Sequence, residues 1–272
     1  SRDEVCDYII KSVSDILESV DISYVKWDMN RNMSEIGSAG LSAERQRELP
    51  HRYMLGLYRV LEEITTRFPN VLFESCSGGG GRFDPGMLYY MPQTWTSDDT
   101  DAIERLKIQF GTSLVYPSAS MGCHVSAVPN HQVHRNTSIE TRGVVAMAGN
   151  FGYELDITKL SEEEKNAIRE QVSLYKDIRE TVQFGDSYRL LSPFEGNSVA
   201  WMNISQDKNE VVVSYVKQYA EPNKWSKPLK LTALDKDSSY EIIGENLIVG
   251  ADELMNIGLI IPELKGDYAS KQ

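Results

Sequence analysis

Cysteine and histidine are scarce in this chain of 272 residues, and their arrangement excludes several kinds of site. The three cysteines, Cys6, Cys76 and Cys123, form no CxxC pair, so neither a zinc ribbon nor a disulfide scaffold is indicated. The four histidines form no HExxH motif, and we predict no metal and no cofactor. Sparse reduced thiols are the default of a cytoplasmic protein, which is the location that we expect.

Excess basic charge and long apolar runs are also lacking. The formal net charge of −12 argues against a nucleic-acid-binding protein and against a basic protein of the membrane surface. No apolar stretch is long enough to span a bilayer. We therefore expect neither a nucleic-acid partner nor a membrane partner.

Up to residue 185, short apolar strands alternate with amphipathic helices. Helices are predicted over 2–19, 50–67, 101–110 and 161–182, and strands over 22–28, 71–74, 91–96 and 112–116. The small-residue segment 143–149 fits a buried strand, a helix turn, or both in sequence. This alternation is the β/α pattern of a parallel sheet, with about five strands where a closed barrel needs eight.

The pattern changes after Gly185 to short strands between turns. Strands are predicted over 199–202, 210–216, 229–231, 240–243 and 257–261, which is typical of an antiparallel β-sandwich. We predict an α/β fold with two domains, a β/α domain over 1–185 and an antiparallel domain over 186–272.

The first strand is predicted to be buried and to end in a polar cluster, in the run Tyr24-Val25-Lys26-Trp27-Asp28-Met29-Asn30-Arg31. Active sites of parallel α/β folds lie at such strand ends. The side-chain period of two predicts Lys26, Asp28 and Asn30 on one face and Trp27 on the other. Asp28 fits the nucleophile of a retaining glycosidase, kept ionised by Lys26 and Arg31. A purely structural salt bridge at the strand end is an equal alternative.

A second acidic cluster, Ser97-Asp98-Asp99-Thr100-Asp101, follows the strand at 91–96. Mutual repulsion among three carboxylates would raise the pKa of at least one of them, which suits a general acid. The competing interpretation is an N-cap for the next helix, where acids are often only structural.

Four glycines, 78–81, follow Cys76, and backbone amides can approach a ligand closely there. A phosphate loop would need the GKS or GKT signature, which is absent, and a cysteine nucleophile would need a histidine that the sequence does not place beside it. We prefer a packing or substrate-contact role for Cys76. For His124, His131 and His134 we expect hydrogen bonding in a loop.

Four motifs together resemble the glycoside hydrolase family 36 α-galactosidases. They are Lys26 to Arg31, Cys76 with its glycine run and Arg82-Phe83-Asp84, Trp95 to Asp101, and His124 to His131. The resemblance spans nearly the whole chain and implies hydrolysis of terminal α-galactosides, such as melibiose and raffinose, with retention of configuration. It implies a partial (β/α)₈ TIM barrel, about strands four to eight, followed by the β-sandwich.

The resemblance implies that Asp28, at the end of strand four, is the nucleophile and that Asp98, at the end of strand six, is the general acid/base. It implies sugar contacts from Lys26, Asn30, Cys76 and the amide of Gly79. Family members carry further N-terminal strands that we expect to lie outside this chain. Since a half barrel exposes strand edges, we expect this segment alone to be inactive.

The resemblance also implies a homo-oligomer, often a tetramer, for the whole enzyme. Two alternatives to hydrolysis remain. One is a family member that acts mainly as an α-galactosyl transferase, and the other is a non-catalytic carbohydrate-binding fragment.

Overall fold

A computed structural model describes residues 1–30, 33–223 and 227–272. The chain divides into two compact units, Ser1–Trp95 and Thr96–Gln272, which are described in turn. In the described ranges, no helix combines the length and the apolar character that a membrane crossing needs.

The first unit alternates helices with parallel strands. Its elements are α1 (Asp3–Ser19), β1 (Tyr24–Asp28), a 3₁₀ turn (Ala43–Glu48), α2 (Leu49–Arg67), β2 (Leu72–Cys76), α3 (Pro85–Tyr90) and β3 (Gln93–Trp95). The strands pair in the order β1-β2-β3, all parallel. The register places Lys26 opposite Glu74, Asp28 opposite Cys76, and Glu74 opposite Gln93.

The core of the first unit lies between this sheet and the helices α1 and α2. Leu61 and Ile64 of α2 pack with Phe73 of β2, all three at most 2% exposed. Trp27 joins this cluster, with its ring 6.4 Å from that of Phe73. Trp27 therefore faces the helices, which confirms that the alternate side chains of β1 share the opposite face.

The second unit begins with two further β/α repeats. Its elements are α4 (Ala102–Thr112), β4 (Met121–Ser126), α5 (Ile139–Ala146), β5 (Asn150–Glu154) and α6 (Glu162–Phe184). β4 and β5 are parallel, with Gly122 opposite Asn150. The expected capping box opens α6: the Ser161 hydroxyl accepts from the Glu164 amide, and the Glu164 carboxylate accepts from the Ser161 amide.

The rest of the second unit is antiparallel. Its strands are β6 (Asp186–Leu191), β7 (Ser198–Ile204), β8 (Val211–Lys217), β9 (Ser239–Ile242), β10 (Leu247–Gly250) and β11 (Ala269–Lys271), with a short helix α7 (Ala251–Asn256). One sheet has the order β11-β8-β7-β6, and β9 pairs with β10. Met202, Ile204 and Leu254 are at most 2% exposed in the core of this region.

The predicted fold class is confirmed: five parallel strands alternate with helices, and antiparallel sheets follow. The predicted domain boundary at 185/186 stays a prediction. In the 143–149 segment, where a strand, a helix turn or both were open, α5 runs to Ala146 and β5 begins at Asn150.

The strand predicted over 112–116 is wrong. Thr112 ends α4, its hydroxyl donates to the carbonyl of Ile108, and the Tyr116 amide donates back to the Thr112 carbonyl in a turn. The side chains of Leu114 and Val115 are 61% and 75% exposed, so β-branched and apolar residue types misled the prediction. The strand lies further on, at Met121–Ser126, in a segment that had been assigned to a loop.

Two predicted strands of the antiparallel region are also wrong. Residues 229–231 and 257–261 meet only in an isolated bridge between Leu229 and Leu259. Leu229, Leu231 and Ile261 pack into the core without extended pairing, whereas Ile257 and Ile260 are exposed. Periodicity alone does not distinguish such a buried irregular segment from a strand.

Candidate active site

Asp28 stands at the carboxyl end of β1 and is exposed in the structure. The prediction of a buried strand is wrong for β1, whose residues alternate between exposed and half-buried. The reason is that, among the described residues, β1 pairs with β2 alone and so has one free edge. Lys26, Asp28 and Asn30 share the face turned away from Trp27, as predicted.

Asn30 links Asp28 to the glycine run. Its Nδ2 donates to Asp28 Oδ2 over 2.7 Å, while its Oδ1 accepts from the Gly78 amide over 2.6 Å. The Ser77 hydroxyl donates to the Met29 carbonyl over 2.6 Å. These bonds join the loop after β1 to the loop after β2 and hold one face of the Asp28 carboxylate in place.

Cys76 lies beside Asp28, since the two residues are opposite in the β1–β2 register. It is a free thiol, 3% exposed. Burial raises its pKa, and the Asp28 carboxylate in hydrogen-bonding contact raises it further, against an opposing contribution from the Gly79 amide. A protonated thiol is a poor nucleophile, so the geometry favours the contact role over the nucleophile role.

Part of the glycine run is engaged in internal contacts. The Gly78 amide donates to Asn30 and the Gly81 amide to the Ser77 carbonyl, while the Gly79 amide lies beside the Cys76 sulfur at the candidate site. Gly78 and Gly79 have φ of +55° and +81°, which favours glycine at both positions. A phosphate cradle needs such amides free, so this loop serves the Asp28 and Cys76 pair instead.

Lys26 is not paired with Asp28 in the structure. Its Nζ lies 3.5 Å from Oε1 of Glu74 and 4.5 Å above the ring of Trp95. No ion pair to Asp28 is found in the described ranges, and Arg31, the second predicted cation, lies outside them. The salt-bridge interpretation of Asp28 therefore finds no support in the described part of the chain.

In the second unit, the three carboxylates of the acidic cluster 97–101 differ in their contacts. Asp101 is the N-cap of α4, accepting from the amides of Ile103 and Glu104 at 3.0 Å each, and it pairs with Arg135. Asp99 accepts from the Asp101 amide over 3.0 Å. Asp98 is exposed and has no hydrogen-bond or ion-pair partner among the described residues. The N-cap interpretation thus holds for Asp101 and leaves Asp98 available for chemistry.

A buried arginine and a neighbouring loop hold this acidic segment from behind. Arg105 is 2% exposed and donates to Thr96 Oγ1, to the Ser97 carbonyl and to the Gly122 carbonyl. The Asn130 amide donates to Thr100 Oγ1 over 3.1 Å. These contacts fix the backbone on both sides of Asp98.

His124 lies on β4, not in the expected loop, with Nδ1 3.5 Å from Oε2 of Glu154 on β5. His131 and His134 fall in the loop as expected. The parts of the chain that the structure describes hold no cluster of three or more residues suited to a metal ion. The candidate site residues supply two carboxylates, two amides, one thiol and the Lys26 ammonium.

The structure gathers five of the six predicted site residues in the first unit: Lys26, Asp28, Asn30, Cys76 and Gly79. Asp98 belongs to the second unit. Glu74 and Arg105 were missed as functional candidates. The available signals were a charged residue inside the apolar strand 71–74 and an arginine on the buried side of an amphipathic helix.

Comparison with known proteins agrees with this geometry. The melibiase family model matches residues 1–185, and the model of the glycosyl hydrolase family 36 C-terminal domain matches residues 198–272. The chain is 64% identical to alpha-galactosidase AgaA of Geobacillus stearothermophilus over 99% of this chain and 37% of that protein. It is 50% identical to alpha-galactosidase Mel36A of Lactobacillus acidophilus, again over 99% and 37%.

The crystal structure of AgaA, a GH36 alpha-galactosidase, superposes with a TM-score of 0.97 at 63% identity, over 99% of this chain and 38% of AgaA. AgaA variants have also been solved in complex with raffinose and with stachyose. The chain thus spans little more than a third of the length of the relatives that it matches.

Proposed function

Because this chain belongs to the melibiase family, we propose that the protein containing it is a retaining α-galactosidase. Its substrates are oligosaccharides that end in an α-D-galactosyl residue, such as melibiose, raffinose and stachyose. The proposal is carried by the state of two carboxylates, Asp28 at the end of β1 and Asp98 between β3 and α4. Both are exposed, and neither makes an ion pair in the described ranges.

Asp28 is the nucleophile in this mechanism. One carboxylate oxygen attacks the anomeric carbon and forms a galactosyl ester, while Asp98 gives its proton to the departing glycosidic oxygen. Asp98 then takes a proton from water as that water attacks the anomeric carbon and releases Asp28. The two inversions give net retention, and this mechanism requires the carboxyl groups to be about 5–5.5 Å apart in the whole enzyme.

The AgaA complexes support this assignment. The raffinose complex carries an aspartate-to-asparagine substitution and the stachyose complex an aspartate-to-alanine substitution, at positions that lie 70 apart in AgaA. Asp28 and Asp98 are separated by the same 70 positions in this chain.

The neighbours of Asp28 have binding roles in the proposal. Lys26 and the Asn30 amide donate to galactose hydroxyls, and the Cys76 thiol and the Gly79 amide provide further contacts to the sugar. Asn30 has a second role, because its bond to Asp28 Oδ2 leaves the other carboxylate oxygen for attack. Homo-oligomerisation and a cytoplasmic location are further parts of the proposal.

Azide rescue in the full-length protein tests the two roles separately. Asp28→Gly should lower kcat on p-nitrophenyl α-galactoside by about 10⁴-fold or more. Azide should restore turnover by direct attack, and the product should be β-galactosyl azide. Asp98→Gly should retain activity on an activated aryl galactoside, and azide should then give the α-galactosyl azide.

The matched control is Asp15→Ala, which removes an exposed carboxylate that pairs with Lys11 on α1. Its kcat should equal that of the wild type. Full activity of Asp28→Gly, or the α-azide from it, would remove Asp28 from the nucleophile role.

The products made from raffinose by the wild-type protein separate the alternatives. Free galactose that appears first as the α-anomer supports the proposal. Longer galactosyl oligosaccharides as the main product would indicate a transferase. Galactose binding without turnover would indicate a carbohydrate-binding protein.

A further inference from the structure

A buried glutamate lies one row below the candidate site, on the same face of the sheet. Glu74, in the middle of β2, has no exposed surface. The register places it between Lys26 of β1 and Gln93 of β3. Asp28 and Cys76 form the next row toward the strand ends, two residues further along each strand.

The two carboxylate oxygens of Glu74 have different partners. Oε2 accepts from the hydroxyl of Tyr24 and from the side-chain amide of Gln93. Oε1 faces the Lys26 ammonium at 3.5 Å and has no hydrogen bond among the described residues. Burial raises the pKa of Tyr24, and its bond to Glu74 raises it further, so this hydroxyl stays a donor. The two neutral donors fix the carboxylate in place, and its second oxygen is left for the cation.

Lys26 is thereby held from two sides. Its Nζ lies between the Glu74 carboxylate and the face of Trp95, which is 2% exposed. The Lys26 side chain is still 32% exposed, so its ammonium is anchored but remains open to a ligand. A free lysine side chain would sample many rotamers, and fixing it in advance lowers the entropy cost of binding.

We propose that Glu74 is a positioning residue, whose buried carboxylate holds the Lys26 ammonium at the place where it donates to a galactose hydroxyl. The proposal rests on the proposed function for the role of Lys26, although the anchoring of Lys26 is a property of the chain itself. Glu74 touches no substrate and acts through Lys26.

Kinetics of Glu74→Gln in the full-length protein test this role. The amide keeps the size of the side chain and can accept from Tyr24 and Gln93, but its NH₂ group then faces the Lys26 ammonium. We expect KM for p-nitrophenyl α-galactoside to rise about tenfold with kcat within about threefold, because Lys26 contributes binding to ground and transition states alike. The matched control Tyr24→Phe removes one neutral bond to the same carboxylate and keeps the charge, so KM should stay within about twofold.

A double-variant comparison separates positioning from a general structural effect. In a Lys26→Met background, Glu74→Gln should raise KM no further, because the anchored group is already gone. A Glu74→Gln protein with wild-type KM, or one whose effect persists in the Lys26→Met background, would overturn the proposal.

A third measurement does not depend on activity. Reductive methylation of the full-length protein, followed by mass spectrometry of the Lys26 peptide, reports how freely this amine reacts. Labelling of Lys26 should be several-fold faster in Glu74→Gln and Glu74→Asp than in the wild type, and unchanged in Tyr24→Phe. Equal labelling in all four proteins would refute the anchor, whereas an inactive wild-type protein with the expected labelling would refute the proposed function alone.

Discussion

Arg105 holds the backbone that carries Asp98, so the conservative substitution Arg105→Lys should impair catalysis. Its Nη1 donates to Thr96 Oγ1 over 2.7 Å and to the Ser97 carbonyl over 3.3 Å, and its Nη2 donates to the Gly122 carbonyl over 2.9 Å. A planar guanidinium donates to acceptors in two directions at once in a fixed geometry, which a single ammonium does not.

The magnitude follows from the bonds that are lost. A hydrogen bond from a charged donor contributes about 1.5–3 kcal/mol, and a buried acceptor left without its donor adds about 1–3 kcal/mol. If lysine keeps one of the three bonds, two are lost, which gives about 3–6 kcal/mol before the unsatisfied acceptors are counted. Without these bonds the Asp98 segment can shift by about 1 Å, and a misplacement of that size lowers the rate by about 10²-fold.

The assay compares two substrates in the full-length protein. Hydrolysis of a substrate with a poor leaving group needs the proton from Asp98. A 2,4-dinitrophenyl galactoside does not, because 2,4-dinitrophenolate leaves without being protonated. We expect Arg105→Lys to lower kcat/KM by about 10–100-fold on the poor leaving group and by much less on the activated one. The control is Arg189→Lys, an exposed arginine that donates to the Ser113 carbonyl over 3.0 Å, which should leave both rates within about twofold. Equal losses on both substrates, or no loss on either, would refute the reasoning.

Three further predictions concern the scaffold and the thiol. Gly185→Ala should destabilise the protein by about 3 kcal/mol or more, because a Cβ there would lie 2.4 Å from the carbonyl oxygens of Thr181 and Ile204. Gly111→Ala, with open space around it inside α4, should stabilise the protein by about 0.5–1 kcal/mol. Denaturant unfolding that finds Gly185→Ala as stable as Gly111→Ala would contradict both expectations. Ser161→Ala should cost about 1 kcal/mol by removing the capping box of α6 in the same assay, whereas Ser161→Asp should retain most of that stability. Since burial raises the pKa of Cys76, iodoacetamide should label it slowly up to about pH 8.5 and faster only above the range of ordinary thiols; rapid labelling at neutral pH would be the contrary result.

Local sequence is enough to predict the carboxylates at the strand ends, but not the residues that hold the site residues in place. The alternation of Lys26, Asp28 and Asn30 on one face depends only on the period of a strand, so it survives folding unchanged. The same holds for Asp101, whose place after a strand and before an apolar-periodic stretch predicts an N-cap. Residue types alone do not separate Asp98 from Asp99, and the choice of Asp98 comes from the family resemblance; the backbone bonds show that Asp99 and Asp101 are engaged.

The role of Glu74 is a long-range property. Its partners Tyr24 and Gln93 lie 50 and 19 positions away, and they meet only through the parallel register of three strands. The wrong strand prediction at 112–116 also results from long-range structure that the local sequence does not show. There the residue types favour a strand, but helix α4 ends at Thr112 and an exposed turn follows, since tertiary context overrides a weak local propensity.

The separation of charges within the first unit bears on why Asp28 can act as a nucleophile. A nucleophilic carboxylate must remain ionised yet keep one oxygen unencumbered, and a direct lysine salt bridge would occupy that oxygen. Here Lys26, on the same face of β1 as Asp28, pairs with Glu74 one row down, while Asn30 and the Cys76 thiol provide neutral contacts to Asp28. On this argument, Glu74 places Lys26 for the sugar, while the contacts to Asp28 come from neutral groups. In Glu74→Gln, Lys26 loses its ionic anchor, so a crystal structure of the full-length variant would show Lys26 Nζ displaced from its place above Trp95, with the Asn30–Asp28 hydrogen bond unchanged.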